Sequence, residues 1–293
     1  MAHRSTDFGR RILSEAERPP GRYDRPGMVR RREILRETIS RLEEPAERAR
    51  LQVLATRNVA RWRKKSDRAI TAPLMRIISG DWGSVALGLT KTYGTTFAVL
   101  NMANAYVPGG GYVEGMPAQE ENMFRRTDCH FSVDAKSLDR GGERYFPAFS
   151  ALLNAEDGRV YLDAARPRVC LRGPEDRNRQ DLGYAWLTEA EIFPFYELRA
   201  SAMDLRSGRP FDSVEARHRI VAQLETLMAA NIRHAVLSAF GCGAFLNPAS
   251  TVAAIYREEI ARRKAHFELI AFAIFDPGYG PDNFTTFRRI FEA

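Results

Sequence analysis

Two adjacent carboxylates, Glu120 and Glu121, stand shortly behind three consecutive glycines, Gly109, Gly110 and Gly111. Carboxyl groups supply or withdraw protons at a reacting bond. Consecutive glycines let the backbone take positive φ and approach a ligand without Cβ clashes. Such a loop also leaves N–H groups free for phosphate or ribose oxygens. The segment begins at Asn101-Met102-Ala103-Asn104, after an apolar run from Phe97 to Leu100 that reads as a strand. It ends in a helix: Pro117 suits the first position, the two acids lie near the first turn, and Arg125 and Arg126 lie toward the other end. Each feature has a plainer reading, the glycines as a tight strand-to-helix connection and the acids as partners of the helix dipole. Their combination in one connected loop, together with Asn104, points to chemistry.

A second glycine turn, Ser238 to Pro248, follows the apolar strand His234 to Leu237 and opens onto a helix through Thr251, Ala254 and Ile255. Gly241-Cys242-Gly243 at that strand end suits a diphosphate, because a helix N-terminus behind a glycine turn presents backbone donors. It suits a simple turn as well. Cys242 has no positioned histidine beside it and reads as a small buried side chain. A third strand end carries Gly80-Asp81-Trp82, where Asp81 either binds a ligand or caps the helix behind it.

The elements that must position these loops alternate in type. Leu74 to Ser79, Thr96 to Asn101, Arg159 to Asp163, Val169 to Leu171, Phe193 to Ala200, His234 to Ala239 and Leu269 to Phe275 read as strands. Between them lie helix candidates at Ser84 to Tyr93, Pro117 to Arg126, Val214 to Ala230, Pro248 to Lys264 and Asp282 to Phe291. Several strands are apolar throughout, as expected where helices cover both faces of a sheet. The pattern predicts an α/β three-layer sandwich, and ligands in such sheets bind beyond the carboxyl ends of the strands. Ahead of this part, Ile34, Leu35, Ile39 and Leu42 recur at helical spacing, and a second helix is expected from about Ala46 to Arg63. Residues 1–26, with Pro19, Pro20, Gly21 and Pro26 among charges, read as a flexible basic arm. The division expected is therefore an arm over 1–26, a helical extension over 27–71 packed on the catalytic domain, and that domain over 72–293.

Composition sets the class. Of 293 residues, 44% are hydrophobic and 28% charged, an ordinary globular balance. No apolar run reaches the roughly 18 to 20 residues a membrane span needs. Met1 to Arg11 lack the apolar core of a secretory signal, so a cytoplasmic location is expected. Cys129, Cys170 and Cys242 are far apart and odd in number, as free thiols would be. With no C-x-x-C pair and no matching histidine pattern, no zinc site is expected. The net charge of +7 suits a polyanionic partner, though Arg4, Arg10, Arg11, Arg18, Arg22, Arg25 and Arg30 to Arg32 equally make a solvated arm.

Gly109-Gly110-Gly111, seven residues, then Gln119-Glu120-Glu121 resembles the signature of microbial-type poly(ADP-ribose) glycohydrolases. Asn101-Met102-Ala103-Asn104 is similar to the Asn-Ala-Ala-Asn segment of macrodomains, and the second turn resembles their phosphate loop. The likeness continues more loosely over most of the chain after about residue 28. It implies a three-layer α/β/α macrodomain-like sandwich with a mixed central sheet and an N-terminal helical extension. It further implies that Glu121 protonates the leaving oxygen at ribose C1″ and that Glu120 holds the ribose hydroxyls. Asn104 would bind the distal ribose, and Gly109, Gly110, Gly111 and Gln119 would also contact the ADP-ribose. Gly241, Cys242, Gly243, Ala244 and Phe245 would line the diphosphate. Asp81 would meet the adenine amino group, with Phe275 or Phe284 stacked on the base. No metal or organic cofactor is implied. The expected partner is ADP-ribose on protein, as single units or polymer, bound by a monomer without membrane or nucleic acid.

One tension accompanies this reading. A helix N-terminus lowers the pKa of a carboxylate, whereas a general acid must carry a proton, so burial would have to raise it. Glu114 and Asp128 flank the motif as substitutes. Departures such as Thr127-Asp128-Cys129-His130 leave arginine-linked mono-ADP-ribose open as the substrate. A non-catalytic ADP-ribose reader has less need of Gln119-Glu120-Glu121. A dinucleotide-binding fold would show a Gly-x-Gly-x-x-Gly near the first strand, and none is found.

Overall fold

A computed structural model of the protein describes residues 25–65, 74–278 and 280–292. Most of the expected arm and the expected boundary between 71 and 72 lie outside the described residues.

Two helices come first. Pro26, at the helix start where its missing N–H is harmless, opens α1 (Pro26–Leu42), which buries Ile34, Leu35, Ile39 and Leu42 along one face. The helix α2 follows as Pro45–Lys65. Five parallel strands then form most of the sheet: β1 (Met75–Ser79), β2 (Ala98–Met102), β5 (Phe193–Ala200), β6 (His234–Leu237) and β7 (Leu269–Ile274). Their order, with β3 (Tyr161–Leu162) at the edge, is β1-β7-β6-β2-β5-β3. Both β3 and the short β4 (Arg168–Cys170) run antiparallel to β5, so the sheet is mixed. The remaining helices are α3 (Trp82–Tyr93), α4 (Gln119–Arg126), α5 (Pro147–Leu153), α6 (Ser213–Ala229), α7 (Ala249–Arg262) and α8 (Asn283–Glu292).

Alternate strand residues explain the layers, since successive side chains point to opposite faces. Ala98 and Leu100 join the core beneath α6, α7 and α8. Phe97 and Val99 join the opposite core with Trp82, Val85, Leu89 and Phe124. Every residue of β7 is buried, as in a strand covered on both sides. The three-layer architecture expected from alternation is the one observed.

The N-terminal helices seat against the site's supporting elements. Arg31 pairs with buried Glu175 at 2.5 Å, and Arg172 pairs with Glu37 at 2.6 Å. Thr38 Oγ1 donates to the Arg125 carbonyl at 2.7 Å, occupying an orphan acceptor at the end of α4. Gly115, at φ +82, lets the glycine loop meet the Met28 carbonyl, where any Cβ would collide.

Two differences from the sequence reading stand out. Helix α5 was not expected, and β3 spans only two residues. Both are short pieces at the sheet edge, where few residues carry the periodicity that marks an element.

Candidate active site

The site is built where neighbouring strands end. Strands β2 and β6 are adjacent and parallel, with Ala98 opposite Ala235 and Val99 opposite Val236. The loops that leave them, 103–118 and 238–248, therefore start from the same sheet edge about 5 Å apart. The ends of β5, β7 and β1 open on that edge too.

Helix α4 is pegged to β2 by Gln119. Its Oε1 accepts from the Met102 amide at 3.0 Å, and its Nε2 donates to the Leu100 carbonyl at 2.8 Å. The side chain acts as a ladder partner for the strand and so positions the two glutamates that follow it.

Glu120 and Glu121 turn back onto the glycine loop. Glu120 accepts from the Asn104 amide at 2.7 Å and the Gly109 amide at 3.1 Å. Glu121 Oε1 accepts from the Gly111 amide at 3.0 Å, while its second oxygen has no bond to another described residue. Gly110, at φ +56, passes so close that an added Cβ would lie 2.6 Å from Glu121 Oε1 and 3.2 Å from Glu120 Oε2. Asn104 Oδ1 accepts from the Tyr106 amide at 2.8 Å and the Val107 amide at 3.0 Å, forming an Asx turn. Its Nδ2 has no acceptor among the described residues.

Burial acts against the helix dipole at both glutamates. Glu120 is 3% exposed and Glu121 9%. Desolvation pushes Glu120 well above the ordinary glutamate value, helped by the Glu121 charge and opposed by the Asn104 amide and Arg199. Desolvation likewise raises Glu121, against the pull of the Gly111 amide. A raised carboxyl is what a general acid requires.

Beneath the glutamates lies a charged network that sequence reasoning missed. Glu197 and Arg199 project from the same face of β5 and pair at 2.7 Å, both buried. Asn101 Nδ2 donates to Glu197 at 2.8 Å, Arg168 adds a contact at 3.3 Å, and Arg199 reaches Tyr145 Oη at 3.3 Å. Glu197-x-Arg199 inside an otherwise apolar strand was the available signal, because i and i+2 share a face. Tyr112, packed under Gly109, meets buried His130 at 3.0 Å, and burial holds that imidazole at about 4, hence neutral.

The second turn presents donors. Among the described residues, the amides of Gly243, Ala244 and Phe245 reach no protein acceptor, which suits an anion. Gly241, at φ +74, packs against Ala202 and Asn247. Cys242 is buried, with its thiol pushed up to about 12 by desolvation, and so is a packing residue.

At the far end the candidates separate. Asp81 accepts from the Gly83 and Ser84 amides, both at 3.0 Å, and pairs with buried Arg126. Asp81 thus caps α3 and holds the buried Arg126 guanidinium. Phe275, at the end of β7, is 43% exposed, with the Arg177 guanidinium 5.4 Å from its ring centre. Phe284 packs instead against the core beneath α8. Asp128 anchors the Val169 amide at 2.7 Å, with Arg168 close by. Glu114 is exposed, 3.5 Å from the position a Cβ on Gly111 would take. Among the described residues no cluster of His, Cys, Asp and Glu is arranged to hold a metal.

Residues 36–139 match the family described as microbial-type PARG, catalytic domain. Among solved structures, the poly(ADP-ribose) glycohydrolase of Thermomonospora curvata is 24% identical, covering 89% of this chain and 99% of its own, with a TM-score of 0.61. That enzyme bound to the inhibitor ADP-HPD is 22% identical, covering 89% and 98%, with a TM-score of 0.60. The Deinococcus radiodurans glycohydrolase in complex with ADP-ribose is 21% identical, covering 82% and 92%, with a TM-score of 0.54. No curated protein sequence matches. Residues 36–139 thus carry the microbial-type PARG catalytic-domain pattern, and the chain as a whole has the macrodomain-like fold of the bacterial poly(ADP-ribose) glycohydrolases.

Proposed function

We propose that the protein hydrolyses the glycosidic bond at ribose C1″ of ADP-ribose units attached to a polymer or to protein. The observation that carries this is Glu121, buried, raised in pKa, and facing the glycine loop with one oxygen uncommitted. In its protonated form that carboxyl gives its proton to the leaving oxygen as the C1″ bond opens toward an oxocarbenium-like state. Water then adds at C1″ and returns a proton to Glu121, restoring the acid. Glu120, clamped by two loop amides, holds the ribose hydroxyls, and Asn104 Nδ2 offers a further donor. The open amides of Gly243, Ala244 and Phe245 take the diphosphate. Phe275 is the exposed ring for the adenine.

The test is turnover on auto-modified polymer and on arginine- and glutamate-linked mono-ADP-ribosylated protein. Wild type releases ADP-ribose. Glu121→Gln loses about 10²- to 10⁴-fold, the range for a general acid, while still binding ADP-ribose. Turnover that survives the substitution would remove Glu121 from the chemistry. ADP-ribose binding without turnover on any substrate would make the protein a reader.

A further inference from the structure

A buried tyrosine joins the glycine loop to the helix that carries the two glutamates. Tyr112 follows Gly111 in the loop, yet its side chain turns inward and is 2% exposed. Its ring packs on Phe124 of α4, with ring centres 4.8 Å apart. Gly109 rests on both rings: an added Cβ there would lie 2.6 Å from Tyr112 Cδ1 and 2.9 Å from Phe124 Cδ1. The loop residues at this contact supply the amides that hold the acids, Gly109 to Glu120 at 3.1 Å and Gly111 to Glu121 at 3.0 Å. The tyrosine ring is thus the floor on which that part of the loop stands.

The floor is fastened at its far end. Tyr112 Oη and His130 Nδ1 lie 3.0 Å apart, and both side chains are buried. Burial holds the imidazole neutral, so the bond joins two uncharged groups. His130 belongs to the short 3-10 helix Cys129–Ser132, which has an anchor of its own. Ser132 Oγ donates to the Cys129 carbonyl at 2.6 Å and accepts from Arg199 at 2.8 Å. Arg199 is paired with Glu197 on β5. A continuous path of contacts therefore runs from the sheet through His130 and Tyr112 to the amides that hold the glutamates. Filling the space under Gly109 needs only an aromatic ring. The hydroxyl adds a direction, because a hydrogen bond weakens steeply once its geometry is lost, and the ring cannot slide along Phe124 without losing it.

We infer that Tyr112 and His130 are positioning residues for the cleavage, their bond fixing the glycine loop against α4 and thereby placing Glu120 and Glu121. This rests on the hydrolase reading and adds to it two residues that act through the loop.

The experiment measures steady-state turnover of auto-modified polymer, or of arginine- or glutamate-linked mono-ADP-ribosylated protein, whichever wild type cleaves fastest. Thermal unfolding is followed beside it. The variants are Tyr112→Phe, His130→Leu, the two combined, and His130→Asn. Tyr112→Phe keeps the ring and loses only the bond. Its kcat falls about tenfold, less than the roughly hundredfold cost of a 1 Å misplacement. Its KM is unchanged, as for an interaction that counts only in the transition state. Its melting temperature falls by about 2–4 °C, so it remains folded in the assay. His130→Leu lowers kcat equally, and the double variant loses no more than either single one, as one shared bond requires. His130→Asn, whose amide can take the place of Nδ1, recovers most of the loss. Wild-type kcat in Tyr112→Phe, or losses that multiply in the double variant, would overturn the positioning role and leave the hydrolase reading intact. Absence of wild-type turnover on all three substrates would overturn the hydrolase reading, and this role with it.

Discussion

Substituting Gly110 by alanine tests whether loop and carboxylates form one unit. At φ +56 the residue occupies left-handed space, where a side chain costs about 1–2 kcal/mol. The new Cβ would lie 2.6 Å from Glu121 Oε1, and ordinary contact begins near 3.4 Å, so the oxygen must retreat by about 0.8 Å. That retreat breaks the 3.0 Å bond from the Gly111 amide. A displacement near 1 Å at a reacting group lowers rates by about 10²-fold. The backbone strain lowers the melting temperature by about 2–8 °C, at about 2–4 °C per kcal/mol for a chain of this size. Turnover on polymer, measured beside thermal unfolding, should therefore fall about a hundredfold in a variant that still folds. Wild-type kcat in Gly110→Ala would refute the claim that the loop sets the position of Glu121.

Three further outcomes follow from the same geometry. Glu121 lies above its ordinary value of 4.5 in the folded protein, so its contribution favours folding at low pH and is lost as pH rises through the folded pKa. Glu121→Gln should melt higher than wild type by about 2–4 °C near pH 8, for a gain of about 1 kcal/mol. The gap should close toward pH 4, and a gap that widens on acidification would contradict the assignment. Gly243→Ala meets no atom within 4 Å, so its melting temperature should match wild type while ADP-ribose affinity falls; unchanged affinity would remove this turn from the diphosphate site. Asp81→Ala leaves Arg126, whose side chain is 2% exposed, without its carboxylate. Loss of about 3 kcal/mol is expected, read as a fall of about 6 °C or more in thermal unfolding, and a smaller effect than that of an exposed pair would argue against the buried bridge.

The fold was legible where local rules act alone. Apolar runs such as Leu269–Ile274 marked buried strands, and the glycine turns marked their carboxyl ends. Adjacency of β2 and β6, which brings the two turns to one edge, is a matter of sheet order that no residue announces. Side chains with two plausible uses were the harder cases. Asp81 serves a cap and a buried arginine placed 45 residues away, and Gln119 serves a strand 17 to 19 residues back. Neither partner is visible from spacing. The Glu197-x-Arg199 spacing was on view, but its neighbours Asn101, Arg168 and Tyr145 come from three separate segments, so the network around the pair was not.

The ion pair between Arg31 and Glu175 links positions 144 residues apart in the chain. Without Arg31, buried Glu175 would keep only the longer Arg177 contact at 3.3 Å and the Tyr184 hydroxyl at 2.9 Å. Arg31 also reaches the Gly115 carbonyl at 3.5 Å, so one guanidinium clasps both the segment around Glu175 and the end of the glycine loop. A disturbance of the first helix is thereby transmitted to the loop that carries the amides facing the glutamates.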